Sequence, residues 1–364
     1  MKLKSLKLNN FRNYKESKID FFEGINVFYG ENAQGKTNIL EAVYIFSSAK
    51  SHRGVKDKEL ILFGEEKGEI EINFESQERE QSAKIELFSK YNKKLYINDI
   101  EQRKKKALLG VFSTVIFSPE DLFLIKEGPE NRRRFMDTDI SQLRPKYYSL
   151  IKEYKKIIDL KNNLLKKENP DIALIEVYND KLAQLSAKIT VHRHQFIEKL
   201  SSLAALAGKY ISDNKEEIEI VYKPNLEEEY ELDINDIYLK YKNIYEKNLE
   251  NEIFKRSCLY GPHRDDVKFI INGRDAKIYA SQGQQRSAVL SLKLAEYEFM
   301  KEVLGEPPIL LLDDILSELD LKRQEKLLKF IRENQTIITC TDKDLYEGFK
   351  YPYKIFNVIK GEIF

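Results

Sequence analysis

Hydrophobic and polar residues alternate through the N-terminal part of the chain in the way that β-strands require. Leucines stand among lysines and asparagines over residues 3–9, and the apolar residues within 19–29 predict a turn at Glu23–Gly24 followed by a buried strand. A glycine-rich loop occupies 30–36, and the pattern from Asn38 to Ser48 predicts a helix. Further strands are predicted at 69–75, 83–88, 94–97 and 111–117.

The middle of the chain changes to the spacing of long helices. Apolar residues recur in a heptad-like pattern from Tyr147 to Leu165 and from Leu174 to Leu206, which predicts two helices, the second about 60 Å long. Lys161 interrupts the first stripe, and His192 fills a seam position of the second, where we predict a packing or register role. The segment Glu168–Asp171 breaks the pattern, and its final aspartate can cap the second helix, so the two helices form an antiparallel hairpin.

Strand character returns after residue 255. Val267 to Asn272 predicts a strand that enters an Asn272–Gly273 turn, a helical pattern runs from Gln284 to Val303, and Ile309–Leu312 and Thr336–Cys340 are apolar runs of the buried parallel type. The sequence therefore predicts an α/β fold in which a helical insertion divides one head. The predicted segments are head residues 1–130, an inserted helical hairpin or arm domain at 131–254, and head residues 255–364.

Composition limits the surfaces that this chain can offer. Its 364 residues carry 61 Lys and Arg against 60 Asp and Glu, a net charge of +1, so any DNA-binding surface must be a local basic patch. Cys258 and Cys340 each lie in an apolar stretch that predicts a strand, and buried reduced thiols suit the cytoplasm. His192 and His194 point apart on a helix, so we predict no zinc cage. We expect a cytoplasmic protein without a signal peptide or a membrane span.

A loop that can wrap around phosphate follows the predicted strand at 19–29. It matches G-x-x-x-x-G-K-[ST] in the strand–loop–helix order that makes this motif specific. Backbone N–H groups and the helix N-terminus would face phosphate oxygens, Lys36 would reach the β- and γ-phosphates of ATP, and Thr37 would ligate Mg²⁺. The predicted nucleotide-binding residues here are Gly30, Glu31, Asn32, Ala33, Gln34, Gly35, Lys36 and Thr37.

The apolar run Ile309–Leu312 ends in two carboxylates, which is a Walker B pattern. Asp313 would hold Mg²⁺ at the end of the strand, and Asp314 could orient or deprotonate the attacking water. A buried strand that ends in a solvated acidic turn is the alternative interpretation. The presence of a P-loop in the same chain favours the catalytic one.

A third motif, Ser281–Gln285, opens the last long helical pattern. A serine hydroxyl and a glycine backbone at a helix N-terminus can face an anion, although such residues are also ordinary caps. Ser317–Asp320, with the sequence S-E-L-D, then follows the Walker B strand. Ser281, Gly283 and Gln284 are therefore candidate nucleotide contacts, and the candidate catalytic residues are Lys36, Asp313, Asp314 and Ser281.

The order of P-loop, S-x-G-Q before a helix, Walker B and S-x-L-D resembles that of ABC-type ATPases, and the divided head resembles the SMC-like branch of that class. Within this branch the chain resembles the RecF family over most of its length. The stretches that carry this resemblance are Leu8–Tyr14, Ser51–Arg53, Lys56–Ile61, Phe117–Leu122, Asn131–Phe135, Gly261–Asp266 and Ser281–Arg286.

The resemblance implies a mechanism and a set of partners. In ABC-type ATPases the signature motif of one subunit completes the ATP site of another, so Ser281 and Gly283 would face the γ-phosphate held at Lys36 of a second copy. The family implies an ATP-bridged homodimer on gapped DNA or on single-strand/double-strand junctions. It also implies help in loading RecA together with RecR and RecO, and links to DNA replication and the SOS response.

The chain departs from the general ABC pattern in several places. Gln282 replaces the first signature glycine, Asp314 replaces the usual catalytic glutamate, and Thr339–Asp342 contains no switch histidine. No clear Q-loop is evident, and Phe117–Asp121 is our candidate for its neighbourhood. A shorter carboxylate and a missing histidine predict slow hydrolysis, which suits a switch better than a motor. The resemblance implies a weak ATPase that DNA stimulates. Arg12 is a candidate to lie near the phosphates.

Two basic runs are candidates for sequence-independent DNA contacts. Arg132, Arg133 and Arg134 open the insertion, and Lys104 and Lys105 lie within the run 103–106. A solvated charged face is the alternative interpretation of each run.

Three other classes of P-loop protein are alternatives, and each differs from this chain in one feature. The ATP-hydrolysing subunit of a membrane transporter places its signature closer to the P-loop, without a helical hairpin between them. A structural SMC-type tether carries far longer arms than these two helices. A small-molecule kinase would lack the motifs at Ser281 and Ser317.

Overall fold

The structure is a computed structural model that describes residues 1–226, 229–342 and 351–364. Its strands are β1 (Lys2–Phe11), β2 (Tyr14–Asp20), β3 (Ile25–Tyr29), β4 (Lys67–Ser76), β5 (Arg79–Phe88), β6 (Lys94–Ile97), β7 (Ile100–Gln102), β8 (Thr114–Phe117), β9 (Ile218–Lys223), β10 (Asp266–Ile271), β11 (Arg274–Asp275), β12 (Ile309–Asp313), β13 (Thr336–Cys340), β14 (Tyr353–Ile359) and β15 (Glu362–Ile363). Its helices are α1 (Lys36–Ser48), α2 (Phe123–Lys126), α3 (Pro129–Leu143), α4 (Pro145–Leu165), α5 (Ile172–Ser212), α6 (Ile234–Lys247), α7 (Leu249–Lys255), α8 (Ala276–Tyr279), α9 (Gln282–Leu304) and α10 (Leu321–Ile331).

Two sheets form the head. The first is antiparallel in the order β2-β1-β4-β5-β6-β7, and the second has the order β15-β14-β3-β13-β12-β8. In the second sheet, β14, β3, β13, β12 and β8 are parallel neighbours. Helix α1 lies in the core shared by the two sheets, where its apolar residues pack against side chains of both. The predicted α/β head is therefore confirmed, including its assembly from the two ends of the chain.

The parallel register brings distant parts of the chain to one edge. Asp313 at the end of β12 lies opposite Thr339 of β13, and Cys340 lies opposite Tyr29 at the end of β3. Because the carboxyl ends of parallel strands meet at the same edge of a sheet, ligands commonly bind there. The loop that follows β3 and the acidic turn that follows β12 consequently meet at this edge.

The inserted segment forms a second lobe around the predicted helical hairpin. Helices α4 and α5 have the predicted lengths, and the side chain of Asp171 accepts a hydrogen bond from the backbone N–H of Leu174, as a cap does. Helices α6 and α7 pack beside them, so the hairpin is enclosed over much of its length. His192 packs edge-on against Tyr147, with Nδ1 3.1 Å from a guanidinium nitrogen of Arg144.

A three-stranded sheet in the order β11-β10-β9 crosses the boundary that we predicted at residue 254. Strand β9 belongs to the inserted segment, whereas β10 and β11 follow residue 255. Arg193 of α5 strengthens this connection, because its guanidinium bonds the carboxylate of Asp265 at 2.8 Å and the carbonyl of Pro262 at 2.6 Å. The second lobe therefore includes the strands up to Asp275. This extension is visible only in the strand pairing and not in the sequence pattern.

The two cysteines differ in their local structure. Both are buried with free thiols. Cys340 ends β13 as predicted, but Cys258 lies outside any strand, between α7 and β10. The prediction of a strand at Cys258 was wrong, because its apolar neighbours serve the packing of the lobe core and do not pair with a strand.

Candidate functional site

The loop between β3 and α1 has the backbone that a phosphate-binding loop requires. Gly35 precedes α1 with φ of 114°, and Ala33 takes φ of 64°. A side chain at Gly35 would also collide with its surroundings, since a Cβ there would lie 2.5 Å from the Asn13 side chain. The loop therefore depends on glycine at this position for both backbone conformation and space.

Lys36 lies inside this loop. Its ammonium donates hydrogen bonds to the carbonyls of Gly30 at 2.6 Å and Glu31 at 2.7 Å. Burial lowers the pKa of Lys36, and the nearby carboxylate of Asp314 opposes that shift. A buried cation among inward-facing loop atoms is suited to receive phosphate oxygens.

Asp313 joins the P-loop to the neighbouring strand. Its Oδ1 accepts hydrogen bonds from Thr37 Oγ1 and from Thr339 Oγ1, each at 2.8 Å. The hydroxyl of Thr37 and the carboxylate of Asp313 are hard oxygen ligands of the kind that Mg²⁺ prefers. Their contact across the sheet edge fits the predicted metal site.

Asp314 adopts a left-handed backbone conformation, with φ of 51°. Its backbone N–H donates to Thr339 Oγ1 at 3.0 Å, while its side-chain Oδ1 is buried without a hydrogen-bond partner among the described residues. Burial raises the pKa of this carboxyl, and Lys36 opposes the shift. An unsatisfied buried carboxylate oxygen next to the P-loop lysine can accept a hydrogen bond from water.

Ser281 and Gly283 are exposed at the N-terminus of α9. Ser281 and Gln284 form a capping box in which the Ser281 hydroxyl accepts from the Gln284 amide, and Gln284 Oε1 accepts from the Ser281 amide at 3.0 Å. The cap orders the first turn of a 23-residue helix on the surface. It leaves the serine hydroxyl available as a donor to a further group.

Side chains tie α9 to the S-x-L-D segment. Arg286 is paired with Glu318, and Arg323 donates to the Ser287 hydroxyl at 2.7 Å. Ser317 donates in turn to the backbone carbonyl of Asp314 at 2.7 Å. Helix α9, the signature helix, is thus connected to the Walker B turn through the S-x-L-D segment.

Arg12 is held within its own subunit. Its guanidinium forms a bidentate pair with buried Glu41 on α1, at 2.7 and 2.8 Å, and donates to the carbonyl of Glu59 at 2.9 Å. Ser51 donates to the same carboxylate. Arg12 therefore stabilises the P-loop helix, since its side-chain hydrogen bonds to the described residues go to Glu41 and Glu59.

The candidate DNA residues have different environments. Arg132 is buried, bonded to the Asp266 carboxylate at 2.6 and 3.0 Å and to the carbonyls of Leu124 and Glu127. Arg133 donates to a backbone carbonyl, whereas Arg134 is exposed. Lys104 is exposed and Lys105 is partly exposed. The geometry assigns Arg132 to structure and leaves Arg134, Lys104 and Lys105 able to meet a phosphate.

Sequence reasoning missed three residues that shape the site. Thr339 bonds both aspartates of the acidic turn, and Asn13 and Tyr14 bond the P-loop carbonyls of Gln34 and Gly35. The position of Thr339 near the end of an apolar strand was the available signal, because such strand ends share an edge with the P-loop. The signal for Asn13 and Tyr14 was their place in the Leu8–Tyr14 stretch that resembles the family, and a turn in the first sheet brings them to the P-loop.

Comparison with known proteins places this geometry in a family. The model of the RecF/RecN/SMC N-terminal domain matches residues 2–363. The DNA replication and repair protein RecF of Clostridium novyi is 42% identical over 364 residues, covering 100% of this chain and 99% of that protein. The chain belongs to the RecF family. The RecF protein of Lactobacillus johnsonii is likewise 42% identical, over 371 residues that cover 100% of this chain and 99% of that protein.

Solved structures agree with membership of the RecF family. A solved structure of the recombination mediator protein RecF with ATP in the RecFOR pathway matches with a TM-score of 0.93 and 38% identity, covering 100% of this chain and 97% of that chain. An SMC head domain from Pyrococcus furiosus matches with a TM-score of 0.57 and 16% identity, covering 100% of this chain and 95% of that chain, which shows a shared fold alone. Among the described residues, no helix is long and apolar enough to cross a membrane.

Proposed function

We propose that this chain is an ATP-dependent DNA-binding protein of recombinational repair whose ATP site is completed by a second copy. The observation that carries the proposal is a division of motifs. Lys36, Thr37, Asp313 and Asp314 meet at one sheet edge, whereas Ser281 lies exposed at the start of a helix. The solved structure of a RecF relative with ATP supports nucleotide binding at this site.

The P-loop would hold the phosphates through its backbone N–H groups and Lys36. The nucleoside would extend into an open groove beside it. That groove is lined by Arg12, Asn13, Asn38, Lys58, Glu59, Ile61, Leu62, Phe63, Gly64 and Glu65. Its combination of apolar and polar side chains suits a base and a ribose.

Thr37 and Asp313 would hold Mg²⁺, which when bound supplies charge neutralisation at the β- and γ-phosphates. Asp314 would orient the attacking water and accept its proton through the buried oxygen that has no partner among the described residues. The side chain of Asp314 is one methylene shorter than a glutamate, and the segment Thr339–Asp342 contains no switch histidine. Both features support slow hydrolysis that ends a bound state rather than driving a motor.

Ser281 and Gly283 would face the γ-phosphate that is bound to the partner copy. Only the triphosphate offers the charge that these donors require, so ATP would join two copies and hydrolysis would release them. The exposure of both residues supports this arrangement, since a signature buried within its own subunit could not reach another.

A basic surface at the joint between head and lobe supports DNA binding. Arg134 extends toward Gly54, and Lys50 lies close enough to Lys155 and to Lys105 to be repelled by each. Burial lowers the pKa of Lys50, these two lysines lower it further, and the carboxylates of Asp137 and Asp57 oppose the shift. Phosphates would relieve this repulsion without reading sequence. We extend the proposal to gapped or junction DNA, to the partners RecR and RecO, and to RecA loading on the strength of family membership.

Light scattering with and without ATP and Mg²⁺ tests the composite site. The wild type should dimerise only with ATP, and Lys36→Met and Ser281→Arg should each stay monomeric. An equimolar mixture of the two variants should regain part of the dimer, because one of its two sites combines an intact P-loop with an intact signature. Ser202→Arg, an exposed serine on α5, is the matched control.

Two results would contradict the proposal. A wild type that stays monomeric while binding ATP would remove the bridging role. A mixture that recovers no dimer would show that each copy uses its own signature. Melting temperatures of the variants identify any loss that comes from the helix cap at Ser281, which contributes about 1 kcal/mol.

A further inference from the structure

We infer that the C-terminal hairpin turn, Lys360–Gly361, is a positioning element for the P-loop and sets the affinity for ATP. The inference rests on the proposed function, because it concerns the same nucleotide site. It assigns a role to residues that carry no nucleotide-binding motif. Its basis is a set of contacts that meet at one residue of the loop, Gln34.

Two hairpin turns hold Gln34. The backbone carbonyl of Gln34 accepts hydrogen bonds from Asn13 Nδ2 at 2.8 Å and from the Gly361 amide at 3.2 Å. Its side-chain Oε1 accepts from the Lys360 amide at 2.6 Å. Asn13 lies in the turn between β1 and β2, and Lys360 and Gly361 form the turn between β14 and β15.

These contacts determine which way the loop amides point. In a planar trans peptide the carbonyl and the following N–H point in opposite directions. Fixing the Gln34 carbonyl toward the two turns therefore directs the Gly35 N–H to the other side. Tyr14 fixes the next peptide in the same manner, since its hydroxyl donates to the Gly35 carbonyl at 3.0 Å and so directs the Lys36 N–H. Amides that are oriented before ATP arrives bind phosphate without a further ordering cost.

The sheet delivers the C-terminal turn to this place. Strand β14 pairs in parallel with β3, and its Asn357 lies opposite Tyr29, the last residue before the loop. Two residues later β14 ends, and a two-residue turn reverses the chain beside the P-loop. Lys360 and Gly361 take φ of 48° and 81°, the pattern of a type I′ hairpin.

Gly361 is required by close approach as well as by its backbone. A Cβ at Gly361 would lie 2.3 Å from the backbone carbonyl oxygen of Asn13. Since that atom belongs to the backbone of the opposing turn, it cannot move aside without moving Asn13. A side chain at 361 would therefore separate the two turns and release the Gln34 carbonyl.

The β10–β11 turn provides a matched control. Asn272 and Gly273 take φ of 50° and 74°, close to the values of Lys360 and Gly361, but a Cβ at Gly273 would have nothing within 4 Å. Gly273→Ala and Gly361→Ala thus impose the same backbone penalty, and only the second disturbs the P-loop. Calorimetric titration of each full-length variant with a non-hydrolysable ATP analogue measures the dissociation constant.

We expect Gly361→Ala to raise that dissociation constant about tenfold and Gly273→Ala to leave it within about twofold of the wild type. Both should lower the melting temperature through the backbone penalty that they share, and the clash with Asn13 should add to the loss in Gly361→Ala. Removal of residues 360–364 is the second variant, because it deletes the turn and keeps β14 beside β3. It should raise KM for ATP about tenfold and leave kcat within about twofold, as loss of uniform binding does.

The inference is overturned if Gly361→Ala binds the analogue like the wild type, or if Gly273→Ala weakens binding equally. A truncated chain with normal KM and reduced kcat would overturn it too. A wild type that binds no ATP analogue would instead remove the proposed function itself, so the two failures are distinguishable.

Discussion

Three consecutive arginines at the start of α3 occupy three different environments. Arg132 is buried against Asp266, Arg133 is partly buried with a bond to the carbonyl of Asp265, and Arg134 is exposed. Along a helix these residues differ by about 100° in direction, so one run of charge cannot form one surface. The helix face therefore decides which arginine of the run is available to a phosphate.

This contrast predicts opposite effects for neighbouring substitutions. Arg132→Ala should lower the free energy of unfolding by about 2 kcal/mol, because it leaves buried acceptors without a partner. Arg134→Ala should leave that free energy unchanged but weaken DNA binding and reduce the slope of log affinity against log salt by about one. Urea unfolding and fluorescence anisotropy at several salt concentrations measure the two effects. Equal destabilisation by both substitutions would refute this division of roles.

At the scale of elements, the apolar stripe of α4 is interrupted by Lys161. Lys161 faces the lobe interior and pairs with Glu252 of α7 at 2.5 Å, and both side chains are 0% exposed. The ammonium also lies over the Tyr245 ring, 4.6 Å from its centroid. The sequence pattern located this polar residue, and its ion pair with α7 explains why a lysine is tolerated inside the lobe.

Breaking this pair should be costly. Lys161→Met should lower the free energy of unfolding by about 3–5 kcal/mol, because it leaves the Glu252 carboxylate buried and unpaired. Adding Glu252→Gln should recover much of the loss, since the amide oxygen can still accept from the Leu259 backbone, as the carboxylate does at 2.7 Å. Lys156→Met, an exposed position on the same helix, is the control. Urea unfolding would contradict this account if the single and double variants were equally unstable.

At the scale of the whole molecule, a buried charge cluster lies where head and lobe meet. Lys293 of α9 bonds Glu296 at 2.9 Å and approaches Asp121 at 3.4 Å, and Asp139 of α3 lies close to them. Tyr44 of α1 faces the same cluster. Lys293 therefore interacts electrostatically with three carboxyls. Asp139 Oδ2 has no hydrogen-bond partner among the described residues. The cluster connects the P-loop helix with the signature helix.

The cluster predicts a pH dependence of stability. Burial raises the pKa of Asp139 well above its usual value and, together with Asp121, raises the pKa of Glu296 to about 7 against the pull of Lys293. Because both folded-state pKa values are raised, their stabilising contribution is complete below the unfolded pKa values and is lost as pH rises above them, for Glu296 through about 7. The wild type should therefore lose stability between about pH 5 and pH 8 more steeply than a variant that lacks one carboxyl.

Asp139→Asn tests this directly, because the amide is uncharged and nearly isosteric. Its melting temperature relative to the wild type should rise from about pH 5 to about pH 8. Asp159→Asn, on the exposed face of α4, should show no such trend. Parallel pH profiles for the wild type and Asp139→Asn would show that the cluster does not titrate in this range.

The sequence by itself determined the features that depend on short spacings. The P-loop, the Walker B strand and the Asp171 cap each lie within a few turns or one strand, where local hydrogen bonding fixes the outcome. The two long helices follow from an apolar spacing that repeats every few residues. The ordered motifs also showed the family. Apart from the order of the motifs, each of these predictions needed only neighbours along the chain.

Only the tertiary structure decided what depends on residues far apart. Strand order brought Thr339 to Asp313, strand pairing moved β10 and β11 into the lobe, and two hairpin turns placed Asn13 and Gly361 against Gln34. None of these contacts has a spacing that a pattern could contain, because sheet register and core packing set them. The phosphate loop could therefore be predicted from the sequence, whereas the residues that hold it in shape could not.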